Sequence, residues 1–157
     1  MTKPLVVEQS RTIAMGQANV FRDMVPMPLP ELFSKWYGPI PPIKESRNQT
    51  GDWDAVGQTR TVVLVGGGSM QEKLTHFDAP HSFGYTLSDV KGPLSPLVDH
   101  VEGVWTFEPI GNGTNVTWRW TIHPRSVLTA PLLPVFGRLW KGYARQSLAE
   151  LSRQLVH

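Results

Sequence analysis

The stretch TNVTWRWTI, residues 114–122, alternates polar and apolar side chains almost without fault. Val116, Trp118, Trp120 and Ile122 share one face; Asn115, Thr117, Arg119 and Thr121 share the other, the period of a half-buried strand. Two tryptophans on one face of one strand require a broad partner: a packed interior, a bound ligand or unwound nucleic acid.

Working outward, Gly111–Gly113 (GNG) is a hairpin signal that joins this strand to His100–Glu108. Thr59–Val65, Met70–Phe77 and His81–Val90 read as earlier strands, linked through Gly66–Ser69, Asp78–Pro80 and Gly92–Pro96. Such links are too short for parallel crossovers, so the strands form an antiparallel meander. Gly66–Ser69 is a turn and not a phosphate loop, because neither a Lys-Ser/Thr pair nor a helix follows.

Residues 5–13 read as a first strand and Gln17–Met24 as a short helix. A second helix is predicted over Leu29–Tyr37, where Leu29, Leu32, Phe33, Trp36 and Tyr37 fall at i, i+3, i+4, i+7 and i+8. Residues 43–49 allow a further strand in an otherwise turn-rich segment. After Pro124, an apolar stripe from Leu132 to Leu155 predicts a long terminal helix; Val135–Val156 alone would reach about 33 Å. An antiparallel sheet must cover its apolar face, and only this helix is large enough.

The chain has 157 residues, 40% apolar and 18% charged, with net charge +2 and no cysteine. These values fit one globular domain over 1–157 and exclude disulfides, thiolate metal sites and cysteine nucleophiles. The N-terminus lacks a long apolar stretch of the secretory kind, and no apolar run approaches a membrane span, so a cytoplasmic setting without stable membrane insertion is expected. The N-x-T triplets at Asn48, Asn112 and Asn115 are then turn chemistry. Net charge is too small for strong phosphate attraction, and Arg119 points away from the tryptophans, so nucleic acid is not an expected partner.

Several segments together resemble the START/Bet v 1-like (SRPBCC) superfamily, and within it the bacterial polyketide cyclase/dehydrase and lipid-transport group. They are GDWDAVGQTRTV (51–62), SMQEKLTHFDAPHSFGYTL (69–87), EGVWTFEP (102–109), GTNVTWRWTIHP (113–124) and LWKGYARQSLAELSRQL (139–155). The resemblance implies an α+β helix-grip fold: a curved antiparallel β-sheet wrapped around a long C-terminal α-helix, with two short helices after the first strand. It also implies a hydrophobic cavity between sheet and helix, and carries no universal catalytic motif.

Strand parity nominates the walls of that cavity. Trp118 and Trp120 come from the last strand, Trp105 and Phe107 from the one before, Phe83 and Tyr85 from 81–90. The long helix adds Phe136, Leu139, Trp140 and Tyr143, and Gly103 leaves room among the rings. Strand 70–77 places Glu72, Leu74 and His76 on one face, and Arg60 is a cross-strand partner for Glu72. With that face inward, Arg60, Glu72 and Tyr85 orient a ligand's polar group, and His76 and Tyr85 are the catalytic candidates. With the register slipped by one residue, Arg60, Glu72 and His76 lie in water.

His81, His100, His123 and His157 are scattered without H-x-H or H-x-x-x-H spacing, so neither a metal nor a cofactor is expected. No G-x-S-x-G elbow is present. Ser126–Phe136 starts the long helix or forms an apolar lip; Lys91–Val98 is a hairpin connection or a gate. Three functions remain: a carrier or sensor of a small hydrophobic molecule such as a lipid or polyketide-like metabolite, an aromatase/cyclase or dehydratase using the same cavity, and a protein-interaction module whose partner the sequence does not name.

Overall fold

The computed structural model describes residues 3–156. Its elements run β1 (Leu5–Ile13), α1 (Gln17–Met24), α2 (Leu29–Leu32), β2 (Ile43–Arg47), β3 (Thr59–Leu64), β4 (Ser69–Asp78), β5 (Ser82–Lys91), β6 (Val98–Ile110), β7 (Gly113–Pro124) and α3 (Leu133–Leu155). One antiparallel sheet is ordered β1-β7-β6-β5-β4-β3-β2. It is a meander from β2 to β7, closed by the first strand against the last. The architecture is α+β: a curved sheet gripping α3, with two short helices after β1.

The TNVTWRWTI alternation survives intact. Val116, Trp118, Trp120 and Ile122 are buried toward α3, while Arg119 turns to water and donates from Nε to Glu8 Oε1 at 2.8 Å. Helix α3 starts two residues earlier than Val135, after a single 3-10 turn over Ala130–Leu132, and Pro134 sits in its first turn, where the missing N–H costs nothing. Its buried side is Leu133, Gly137, Trp140, Tyr143, Ala144, Ser147, Leu148 and Leu151, a continuous helical stripe. At Gly142 an added Cβ would lie 2.0 Å from Tyr37 Cζ, so glycine lets that ring lie flat on the helix.

The predicted nine-residue second helix is a correction. Helix α2 ends at Leu32, and Phe33 leaves helical geometry with φ −107° and ψ 63°. The chain must turn here to enter the sheet: Phe33 O accepts from Ile43 N at 2.9 Å, and Tyr37 pairs with Ile40. Phe33 is still buried, stacked on Tyr143 at 6.0 Å, whereas Trp36 is left 53% exposed. Tertiary contacts with α3 claimed Phe33 and Tyr37, and the periodicity was incidental.

Candidate functional site

The wall between β5, β6, β7 and α3 is built of rings. Trp105 stacks on Trp118 at 4.8 Å and 13°, and Trp140 of α3 closes over Trp118 and Trp120 at 4.9 and 5.4 Å. Register explains how they fit. Tyr85, Gly103 and Trp120 lie abreast on β5, β6 and β7, and a Cβ on Gly103 would stand 2.2 Å from Tyr85 Cζ. The bare backbone at Gly103 therefore makes the slot in which the phenol ring lies.

In that slot Tyr85 Oη accepts two hydrogen bonds, from Trp118 Nε1 and Trp120 Nε1, each 2.9 Å. Burial first, and the nearby Glu72 charge second, hold the phenol well above its ordinary pKa, so the hydroxyl keeps its proton. No acceptor among the described residues takes that proton, which leaves it available to a guest.

Beside it lies a buried ion pair. Arg60 and Glu72 are direct cross-strand partners, and Arg60 Nε donates to Glu72 Oε1 at 2.7 Å. Arg60 Nη1 also donates to Gln49 Oε1 at 3.3 Å, and its guanidinium rests 3.9 Å above the Trp53 ring. Burial pushes the Glu72 carboxyl up despite the adjacent guanidinium. The arginine's charge is spread among a carboxylate, an amide and an aromatic face, each weaker in water than here.

These groups surround a cavity of about 370 Å³. Of the residues nominated from sequence, Arg60, Glu72, Phe83, Tyr85, Trp105, Trp118, Trp120, Phe136, Trp140 and Tyr143 line it. Leu74, His76, Phe107 and Leu139 do not. Phe107 faces inward but meets Phe21 of α1 at 5.1 Å, and Phe21 also meets Phe77 and Phe83, so α1 plugs that end of the sheet. Leu74 is sealed in the core, and Leu139 lies against Gly38 outside the chamber.

His76 is a correction with a specific cause. Leu74 pairs with Tyr85 but His76 pairs with Gly84, so Thr75 is an extra residue in β4. This bulge reverses the parity of the strand: His76 turns outward to Ser82 Oγ at 2.7 Å, and Phe77 turns toward the core. An acid/base role for His76 in the chamber is therefore excluded by geometry.

Sequence reasoning missed the near end of the cavity. Trp53 comes from the irregular segment before β3, is 1% exposed, and holds a positive φ of 60°. A lone tryptophan amid Gly51, Asp52 and Asp54 was the available signal. The Trp53 and Trp140 indole N–H groups are buried without partners among the described residues. Phe33, Ile40, Val62, Met70 and Leu87 add apolar lining, and the lining residues Trp36, Val65, Gly66 and Lys91, all exposed, mark the open end.

Residues 4–156 match the family model described as polyketide cyclase / dehydrase and lipid transport. The chain belongs to that family, and with it to the SRPBCC superfamily of Bet v 1-like folds. Among solved structures it is similar to norcoclaurine synthase from Thalictrum flavum, at 16% identity and a TM-score of 0.71, covering 99% of this chain and 89% of that one. Ginseng major latex-like protein 151 from Panax ginseng gives 11% identity and 0.71, with 99% of both chains covered. The protein TTHA0849 from Thermus thermophilus gives 17% and 0.70, with 97% of both covered. At these identities the likeness is one of fold. A search of curated proteins gave no match.

Proposed function

We propose that the protein binds a small apolar or amphipathic molecule, lipid or polyketide-like, between the sheet and α3, and carries or senses it. The observation that supports this most is the chamber itself: about 370 Å³, walled mainly by aromatic and aliphatic side chains, with the buried polar groups Arg60, Glu72 and Tyr85 at one pole. That volume suits a compact ligand. A guest hiding about 250 Å² of hydrocarbon gains roughly 6 kcal/mol at about 25 cal/mol per Å². The Tyr85 hydroxyl proton gives that pole a donor, so a carbonyl or ether oxygen on the guest fits there. Trp118 and Trp120 serve as chamber walls, and nucleic acid has no part in this role.

A second reading, cyclase or dehydratase chemistry in the same chamber, rests on Tyr85 alone. Its proton-bearing hydroxyl, backed by two indole donors, suits stabilising a developing oxyanion on a poly-ketone chain. The first reading is tested by purifying the protein from its own host, extracting it and identifying co-purified molecules by mass spectrometry. A stoichiometric apolar compound is expected; a bare chain that also fails to bind a neutral apolar fluorophore overturns it.

A further inference from the structure

We propose that the outer face of β6 and β7 carries a divalent transition-metal site formed by His100, Glu102 and His123. The sequence conceals it because the residues meet across strands. His100 and Glu102 are two apart on β6 and so share a face, and His123 on β7 is the direct partner of His100. One ligand atom from each of the three lies within 4.8 Å of the others.

The geometry is close to what a dication needs. Ligands at about 2.0–2.2 Å from tetrahedral zinc stand roughly 3.4 Å apart, so side-chain rotation of about 1 Å closes the set. All three side chains are partly solvent-exposed and have that freedom. The imidazole rings stack at 4.0 Å and 11°, so their in-plane lone pairs run side by side, and tilting the rings makes them converge. His123 Nε2 already lies 2.6 Å from Glu102 Oε1, the contact that a shared cation would replace.

The surroundings supply an outer layer. Asp99 Oδ2 lies 2.8 Å from His100 Nδ1. Arg125 donates from Nη1 to Asp99 Oδ1 at 3.2 Å, from Nη2 to Val98 O and from Nε to Ser95 O. A carboxylate that orients a ligating imidazole is the usual support of such a site. Among the described residues, the charged or titratable side chains bonded within the cluster and its outer layer are the carboxylates Glu102 and Asp99, the imidazoles His100 and His123, and the Arg125 guanidinium, which is held by Asp99.

Two nitrogens and one carboxylate oxygen suit borderline dications, zinc first, with water completing the shell. Bound metal would stitch β6 to β7 where β6 leaves the 92–97 loop. That loop carries Pro93 and Leu94 to the cavity, so the site is placed to brace the chamber's edge.

Titration calorimetry of the full chain with zinc chloride in a non-chelating buffer at pH 7.5 tests the site. One zinc per chain is expected, weakened at least about tenfold by His100→Ala, His123→Ala and Glu102→Gln, and about tenfold by Asp99→Asn. The pair His76→Ala and His81→Ala, which removes two other exposed imidazoles, should leave the isotherm unchanged. Circular dichroism confirms that each variant folds. No saturable binding up to millimolar zinc, or binding that survives loss of His100 and His123, overturns the proposal.

Discussion

Tyr85→Phe removes one oxygen atom and almost no volume, yet two buried indoles depend on that atom. Trp118 Nε1 and Trp120 Nε1 both donate to Tyr85 Oη at 2.9 Å, and both rings are buried. Each unpaired buried donor costs about 1–3 kcal/mol. Relief from burying the hydroxyl offsets about 1–2 kcal/mol. The expected net loss is about 1–4 kcal/mol, worth roughly 5–10 °C in Tm at mid-range for a chain this long. Tyr143→Phe is the internal comparison: its hydroxyl makes one bond, to Pro41 O at 3.2 Å, so about 1 kcal/mol is expected. Urea unfolding followed by tryptophan emission reads both, with m unchanged as the check that the same surface unfolds. A Tyr85→Phe loss under about 0.5 kcal/mol, or one no larger than for Tyr143→Phe, would refute the role given to the shared acceptor.

Gly142→Ala should destabilise by about 1–3 kcal/mol, although alanine is the better helix former by about 1 kcal/mol, because the new methyl meets the Tyr37 ring; thermal unfolding showing a gain would contradict that packing. Arg60→Ala or Glu72→Ala alone should cost about 3–5 kcal/mol, and the double change Arg60→Met with Glu72→Leu clearly less than their sum, measured by chemical denaturation. The pH dependence has a definite sign. The folded Glu72 carboxyl lies above its unfolded value, so the native state holds the extra proton between the two, and this group's contribution falls as pH rises through and above the ordinary carboxylate range. The Tm of the wild-type protein minus that of Glu72→Gln should therefore shrink from about pH 4 upward; a difference that grows would reverse the assignment.

The fold was legible wherever local pattern and tertiary demand agreed. In β7 alternation and burial coincide residue for residue, and in α3 the apolar stripe is the buried face from Trp140 to Leu151, whereas Leu132 and Val135 at its start are exposed. Gly103 was readable as a gap among rings, though only the register shows that Tyr85 occupies it. Reading failed where one residue altered geometry beyond its neighbours. Thr75 inserts a bulge that no hydrophobic period announces, and everything after it, His76 included, changes face. Phe33 and Tyr37 keep a helical spacing while their backbone obeys the turn into β2. Trp53 reaches the chamber from a loop, where strand parity has no authority. His100 and His123 are far apart in sequence and meet only because the GNG hairpin sets the register between β6 and β7.

The claim that a guest occupies the space between sheet and helix is tested most directly by filling that space. Val62 lines the chamber on β3, away from the Tyr85 hydrogen bonds. Equilibrium binding of a neutral apolar fluorophore such as 1-aminoanthracene, read by energy transfer from the wall tryptophans, is expected to saturate at one molecule per chain. In Val62→Trp, with folding verified by circular dichroism, affinity should fall at least about tenfold, a loss of about 1.4 kcal/mol. Saturation at one molecule per chain with undiminished affinity in Val62→Trp would place the guest elsewhere and contradict that claim.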